Sequence, residues 1–168
     1  ANNETGVIFP IEEIGQIVKS KGSILHTDAV QAVGKIPLDL SKSTIDLLTI
    51  SGHKLHAPKG VGALFIRKGI TFTPFIVGGH QEKNHRGGTE NVPSIIGLGK
   101  ACELAKNYMN EELTRVRQLR DTLEEEILKK APDARVNGHK TQRLPNTTYL
   151  SFEFVEGEAI LLLLNEKG

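Results

Sequence analysis

The chain has 168 residues, of which 38% are apolar and 24% are charged, and its formal net charge is +1. This length favours a single domain, and the composition is ordinary for a soluble globular protein. The small net charge gives no reason to expect nucleic acid or a membrane surface as a partner. No apolar run approaches the ~20 residues that span a bilayer, so we expect a cytoplasmic protein.

The first half of the chain alternates between helix and strand patterns. Apolar residues at positions 11, 14, 17 and 18, preceded by Pro10, predict a helix. The apolar pair Ile24-Leu25 predicts a strand that ends at Asp28, and residues 45–50 predict a second buried strand. Residues 61–66 predict a third strand, and the tight turn before it implies one antiparallel neighbour. This order predicts an α/β fold with a largely parallel sheet.

The second half is mainly helical. Residues 78–91 are rich in glycine and polar residues, which predicts a loop. Apolar residues then recur every three or four positions over 93–130, a span too long for one ordinary helix in a compact domain. We expect either a kink near residue 110 or a crossing between two domains. An alternating pattern over 147–154 predicts a strand, and residues 156–166 predict a final helix.

A carboxylate and an amine follow two of the predicted strands. Asp28 ends one strand and Lys54 comes closely after another. In open α/β sheets ligands bind at the carboxyl ends of strands, and this pair suits pyridoxal phosphate (PLP), which needs an amine for its aldehyde and a carboxylate for its ring nitrogen. A turn-forming Asp and a solvated Lys explain the same residues, so the spacing by itself leaves both interpretations open.

The remaining candidates for chemistry are weaker. The histidines at positions 53, 56, 80 and 85 do not fall at a recognised zinc spacing, and we expect no metal site. Cys102 is the one cysteine and lies on the apolar stripe of a predicted helix, where a buried, inert thiol is expected.

Several longer motifs together cover essentially the whole chain. They are Asn2-Asn3-Glu4-Thr5-Gly6, His26-Thr27-Asp28-Ala29-Val30-Gln31, Ser51-Gly52-His53-Lys54-Leu55-His56, Gly78-Gly79-His80, Arg86-Gly87-Gly88-Thr89, Leu144-Pro145-Asn146-Thr147 and Val155-Glu156-Gly157-Glu158. In wording and order these motifs resemble those of the cysteine desulfurases, a family of PLP enzymes of the class V aminotransferase type, in both the NifS-like and the IscS-like branches.

The resemblance implies a role for each matching residue. Lys54 would hold PLP covalently and move protons on the substrate carbon. The other cofactor contacts would come from Asp28 at the ring nitrogen, Gln31 at the ring oxygen, Ser51 and His53 at the phosphate, and Thr89 from the neighbouring subunit of a homodimer. Asn3 would help to hold the substrate carboxylate. The loop departs from the family at Lys83-Asn84, where Arg-Gly is common.

The resemblance also implies an architecture and a reaction. The fold would be that of the fold type I PLP-dependent transferases, with residues 1–110 forming part of the large-domain sheet and residues 111–168 beginning a small α+β domain. The reaction would convert L-cysteine to L-alanine and leave persulfide sulfur for an iron–sulfur scaffold protein. We expect the chain to be a central and C-proximal piece of such an enzyme, without the nucleophilic cysteine loop and the arginine that binds the substrate carboxylate.

Two alternative hypotheses to desulfuration remain open. One retains PLP but changes the reaction, as in selenocysteine lyase or another class V aminotransferase. The other treats the chain as a catalytically inactive folding or interaction unit, and it predicts that the isolated 168-residue chain releases no sulfide from cysteine.

Overall fold

The computed structural model describes residues 1–168 as a mixed α/β structure with two small sheets. The helices are α1 (Ile11–Ser20), α2 (Val92–Glu111), α3 (Arg117–Lys130) and α4 (Gly157–Asn165). The strands are β1 (His26–Asp28), β2 (Leu47–Ser51), β3 (Gly62–Ile66), β4 (Ala134–Val136) and β5 (Leu150–Phe152). No helix is both long and apolar enough to cross a membrane.

The first sheet has the order β1-β2-β3. β1 and β2 are parallel, and β2 and β3 are antiparallel, as the tight turn before β3 predicted. The main core lies against this sheet and α1, and it is built from Leu25, Ala29, Ala32, Ile45 and Leu48. A second cluster of Leu55, Leu98 and Ala101 joins α2 to the short 3₁₀ turn that follows β2.

The regular α-helix is interrupted close to where the sequence indicated. Five residues, Glu112–Val116, form a π-helical turn between α2 and α3. A π turn inserts one extra residue into the helical repeat, and it is a recognised cause of a kink. The predicted interruption near residue 110 is therefore confirmed, two residues further along.

The end of the chain differs in detail from the prediction. The strand expected over 147–154 is only Leu150–Phe152, and it pairs with β4, which was not predicted. Thr148 lies outside the strand, and its hydroxyl donates to Glu124 on α3. The preceding Thr147 packs against Gly6, where an added Cβ would lie 2.8 Å from the threonine Cβ. The final helix is confirmed as α4.

Candidate functional site

The parallel pairing of β1 and β2 brings the two predicted chemical groups to one edge of the sheet. Asp28 is the register partner of Thr49, and β2 ends two residues later at Ser51. Side chains alternate along a strand, so Ser51 lies on the same face as Thr49 and its partner Asp28. Lys54 follows in the 3₁₀ turn Gly52–Leu55.

The polar groups at this edge remain available to a ligand. Asp28 accepts one hydrogen bond, from the Val30 amide to Oδ1 at 2.8 Å, and its other oxygen is free. The Ser51 hydroxyl lies 2.8 Å from Nδ1 of His53. Lys54 is exposed and takes part in none of the ion pairs of the chain. Hydroxyl and imidazole donors suit a phosphate, and a free amine and a free carboxylate at one edge of the sheet suit PLP.

Three predicted residues share one cavity. Asn3, Asp28 and Gln31 line a hollow of about 480 Å³ between the N-terminal segment and the turn after β1. Lys54 lines a different pocket of about 300 Å³, together with Lys35, Tyr108 and Glu112. The exposed Thr89 lines neither of these pockets. The roles given to the individual site residues therefore stay predictions.

Close packing joins the turn that carries Gln31 to the turn that carries Lys54. Gly34 has a positive φ of 77°, and an added Cβ would lie 2.7 Å from Cδ2 of Leu55. Leu55 is buried and comes directly after Lys54. Glycine is needed here for both the backbone angle and the space, a requirement that no sequence pattern indicated.

Gly52 fixes the path of the chain between Ser51 and Lys54. An added Cβ would lie 2.9 Å from the backbone oxygen of Val61 and 2.8 Å from its Cγ1. The Gly52 amide donates to that same oxygen at 2.8 Å. The turn that presents Lys54 is thus pressed against the residue that precedes β3.

The loop of residues 78–91 has a conformation that sequence alone did not predict. Glu82, Lys83 and Asn84 all have positive φ, of 47°, 56° and 67°, so the turn Gln81–Asn84 is left-handed. His80 Nδ1 lies 2.7 Å from Oδ1 of Asn84. The departure from Arg-Gly is therefore accommodated, because Asn84 adopts the angle that glycine would adopt more freely.

The other histidines and Cys102 behave as ordinary structural residues. His26 lies 2.7 Å from the Thr49 hydroxyl, and His139 Nδ1 accepts backbone hydrogen bonds from the turn after it. Cys102 is half-buried and lines an apolar groove with residues such as Ala105 and Met109. No group of three or more His, Cys, Asp or Glu side chains could hold a metal ion.

Comparison with known proteins identifies the class to which this fold and this strand-edge site correspond. The model of the family "Aminotransferase class-V" matches residues 1–168. The chain is therefore a member of the class V aminotransferase family.

Two relatives of similar sequence are both named cysteine desulfurases. The chain is 61% identical to a cysteine desulfurase of Trichormus azollae and 57% identical to the cysteine desulfurase NifS of Azotobacter vinelandii, in each case over its full length. It spans 42% of the length of both relatives.

Solved structures give the same result for the fold. A NifS-like protein matches with a TM-score of 0.94 and 40% identity, over 100% of this chain and 46% of that one. The NifS-like protein of Rickettsia africae matches with a TM-score of 0.92 and 38% identity, over 99% and 46% respectively. The predicted fold class is confirmed, whereas the proposed division at residue 110 stays a prediction.

Proposed function

We propose that this chain is part of a PLP-dependent cysteine desulfurase, which releases sulfur from L-cysteine as an enzyme persulfide and leaves L-alanine. The observation that carries the proposal is the placement of Asp28 and of the Ser51–Lys54 turn at one sheet edge, in a chain that the class V model matches from end to end. The shared name of the relatives supports the choice of substrate.

Each residue has a task that fits its position. PLP, when bound, supplies an aldehyde that captures amines and a ring that accepts electrons. Asp28 would keep the ring nitrogen protonated through its free oxygen. Ser51 and His53 would donate hydrogen bonds to the phosphate. Lys54 would hold the cofactor and move protons at the substrate carbon, and Asn3 would orient the substrate carboxylate.

The same proposal covers the oligomeric state of the enzyme, its location in the cell and the protein that accepts its sulfur. We propose a cytoplasmic homodimer in which Thr89 and the exposed loop around it reach the phosphate held by the neighbouring subunit. Phe75, 98% exposed just before this loop, offers apolar area for such an interface. The persulfide sulfur would pass to an iron–sulfur scaffold protein.

Borohydride reduction of the full-length protein tests the role of Lys54. Reduction converts a covalent lysine–PLP bond into a stable pyridoxyl-lysine, which peptide mapping locates. We expect the label on Lys54, its loss in Lys54→Arg, and its retention in the matched control Lys59→Arg, an exposed lysine of the same β2–β3 connection. A pyridoxyl group on any other residue would refute the assignment.

Product assays on the same protein separate desulfuration from its relatives. Sulfide release from L-cysteine in the presence of a thiol reductant, with L-alanine in equal amount, supports the proposal. Selenide release from L-selenocysteine without activity on cysteine would identify a selenocysteine lyase. Amino transfer without either product would identify another class V aminotransferase.

A further inference from the structure

A buried ion pair outside the cavity is connected to the cavity wall by a chain of hydrogen bonds. Arg143 precedes β5, and its side chain is 4% exposed. Its Nη2 donates to Oε1 of Glu124 on α3 at 2.9 Å, and its Nη1 lies 2.7 Å from Oε2. The Thr148 hydroxyl donates to the same Oε2 at 2.7 Å. Nη1 and Nε have no hydrogen-bond partner, so one charged hydrogen bond and the ion pair hold the guanidinium against Glu124.

A second arginine, which lies on α3, holds the same segment. Arg120 is 9% exposed and donates from Nη1 to the backbone oxygen of Leu144 at 2.7 Å. Residues 143–148 are therefore attached to α3 by both backbone and side-chain contacts. The hydrogen bond from the Arg143 guanidinium is the main cause that lowers the pKa of Glu124.

The other side of this segment is bonded to the start of the chain. The Ile8 amide donates to Gln142 O at 2.9 Å, and the Leu144 amide donates to Gly6 O at 2.8 Å. Val7 and Arg143 form an antiparallel bridge between these two bonds. The position of residues 6–8 therefore depends on the position of residues 142–144.

Asn3 lies in a turn that cannot move independently of residues 6–8. The Asn2 amide donates to Val7 O at 2.9 Å, and Asn2 Oδ1 accepts from the Glu4 and Thr5 amides at 2.9 and 2.8 Å. Asn3 lies between these hydrogen-bonded residues in the sequence, and it lines the same cavity as Asp28.

From this connection we infer that Arg143 and Glu124 are positioning residues, which fix the Asn3 turn and thereby set how tightly the substrate carboxylate is held. The inference rests on the proposed function, because it uses the role that Asn3 has there. The pair acts on binding through Asn3, and it does not contact the substrate.

The test uses Arg143→Lys, Glu124→Gln and Thr148→Val in the full-length holoenzyme. Arg143→Lys keeps the charge but loses the guanidinium hydrogen bond to Glu124. Thr148→Val removes the hydroxyl but keeps the shape, and it serves if a charged variant folds poorly. We expect KM for L-cysteine to rise about tenfold in the first two variants and less in the third, with kcat nearly unchanged. Arg115→Lys, which alters an exposed ion pair with Glu111, is the control and should leave both constants unchanged.

A double-variant comparison identifies the route of the effect. If the pair acts through Asn3, Arg143→Lys should raise KM much less when Asn3 is already Ala than when it is present. Equal increases in both backgrounds would overturn the inference. A lower melting temperature with an unchanged KM would also overturn it, because it would show a purely structural role.

Hydrogen exchange of the cofactor-free protein tests the inference without any assay of activity. We expect the Ile8 and Leu144 amides to exchange about tenfold faster in Arg143→Lys, and the β1–β2 amides to keep their rates. Unchanged exchange at Ile8 and Leu144 would refute the inference. Failure of the wild-type enzyme to release sulfide would refute the proposed function and leave this measurement to decide the role of the pair.

Discussion

Asp46 shows how one buried carboxylate supports the sheet that carries the site. Its side chain is almost fully buried, accepts a hydrogen bond from the Leu25 amide at 2.8 Å and pairs with the Lys19 ammonium of α1. The Leu25 contact lies at the entrance to β1, three residues before Asp28. The carboxylate therefore attaches α1 to the strand that ends in the predicted site.

Replacement of Asp46 by Asn should destabilise the protein by about 2 kcal/mol at neutral pH, because a buried charged hydrogen bond becomes a neutral one. Urea unfolding measures the change. The control Asp39→Asn alters an exposed aspartate whose bonds are local, to Ser41, and should have a smaller effect. Equal destabilisation by both substitutions would contradict the role given to Asp46.

The effect of Asp46→Asn should depend on pH in a definite direction. The Lys19 hydrogen bond, followed by that of the Leu25 amide, lowers the pKa of Asp46 below the ordinary value of 3.8. A lowered pKa in the folded state gives stability that is present above the unfolded value and is lost as the pH falls through the folded value. The difference between wild type and Asp46→Asn should therefore shrink below about pH 3.8, and a difference that grows at acid pH would refute this.

At the scale of elements, the turn between β2 and β3 sets the position of Lys54. Gly52→Ala should destabilise the protein by about 1–3 kcal/mol, because the new methyl group meets the Val61 backbone and cannot displace it easily. It should also weaken PLP binding by the full-length protein, measured by cofactor titration, because Ser51 and His53 move with the turn.

Gly99→Ala is the matched control for Gly52→Ala. Gly99 lies within α2, and a Cβ added there would meet no atom within 4 Å. Alanine favours helices over glycine by about 1 kcal/mol, so the variant should be slightly more stable and should bind PLP normally. Loss of PLP binding in Gly99→Ala, or normal stability in Gly52→Ala, would contradict the argument.

Elements with a long or strongly periodic pattern could be predicted from sequence, and short ones held by distant contacts could not. The spacing of apolar residues gave α1, β2, β3 and the kinked α2–α3 region. It did not give β4, because three residues, Ala134–Val136, carry no detectable period and pair only through β5. The left-handed angles of residues 82–84 also had no sequence signal, since two of the three residues are Glu and Lys.

The residues in and around the site could likewise be predicted only in part from the sequence. The residues at the strand ends, Asp28 and Lys54, were suggested by their position and specified by the family motifs. Arg143 and Glu124 were not found, because their interaction joins α3 to the segment before β5 across 19 positions of the sequence. A charged residue in a polar helix is normally solvated, so only the structure shows that this pair is buried.

At the scale of the whole molecule, the chain exposes more apolar surface than a solitary domain normally does. Only 18 of 168 residues are buried, fewer than a compact domain of this length requires. The exposed large apolar side chains include Phe75, Val77 and four consecutive leucines, Leu161 to Leu164, each more than 60% exposed. Patches of this kind mark contact surfaces or aggregation sites.

We therefore expect the 168-residue chain, produced alone, to self-associate and to bind the dye ANS, whereas the full-length protein should not bind the dye or associate beyond the proposed dimer. Light scattering after size exclusion and dye fluorescence measure this. The isolated chain should also release no sulfide from cysteine. A monodisperse monomer without dye binding would contradict the first expectation, and sulfide above a no-enzyme control would contradict the second.

The pairing of Ser51 with Gly62 has a consequence for how the surroundings of Lys54 could change during evolution. Because the two ends of the intervening loop are held by neighbouring backbone bonds, its exposed positions can vary without shifting the sheet, whereas the buried Leu55 must keep its contacts with α2. Exchange of the whole segment between relatives should therefore transfer the local surroundings of Lys54 as one unit.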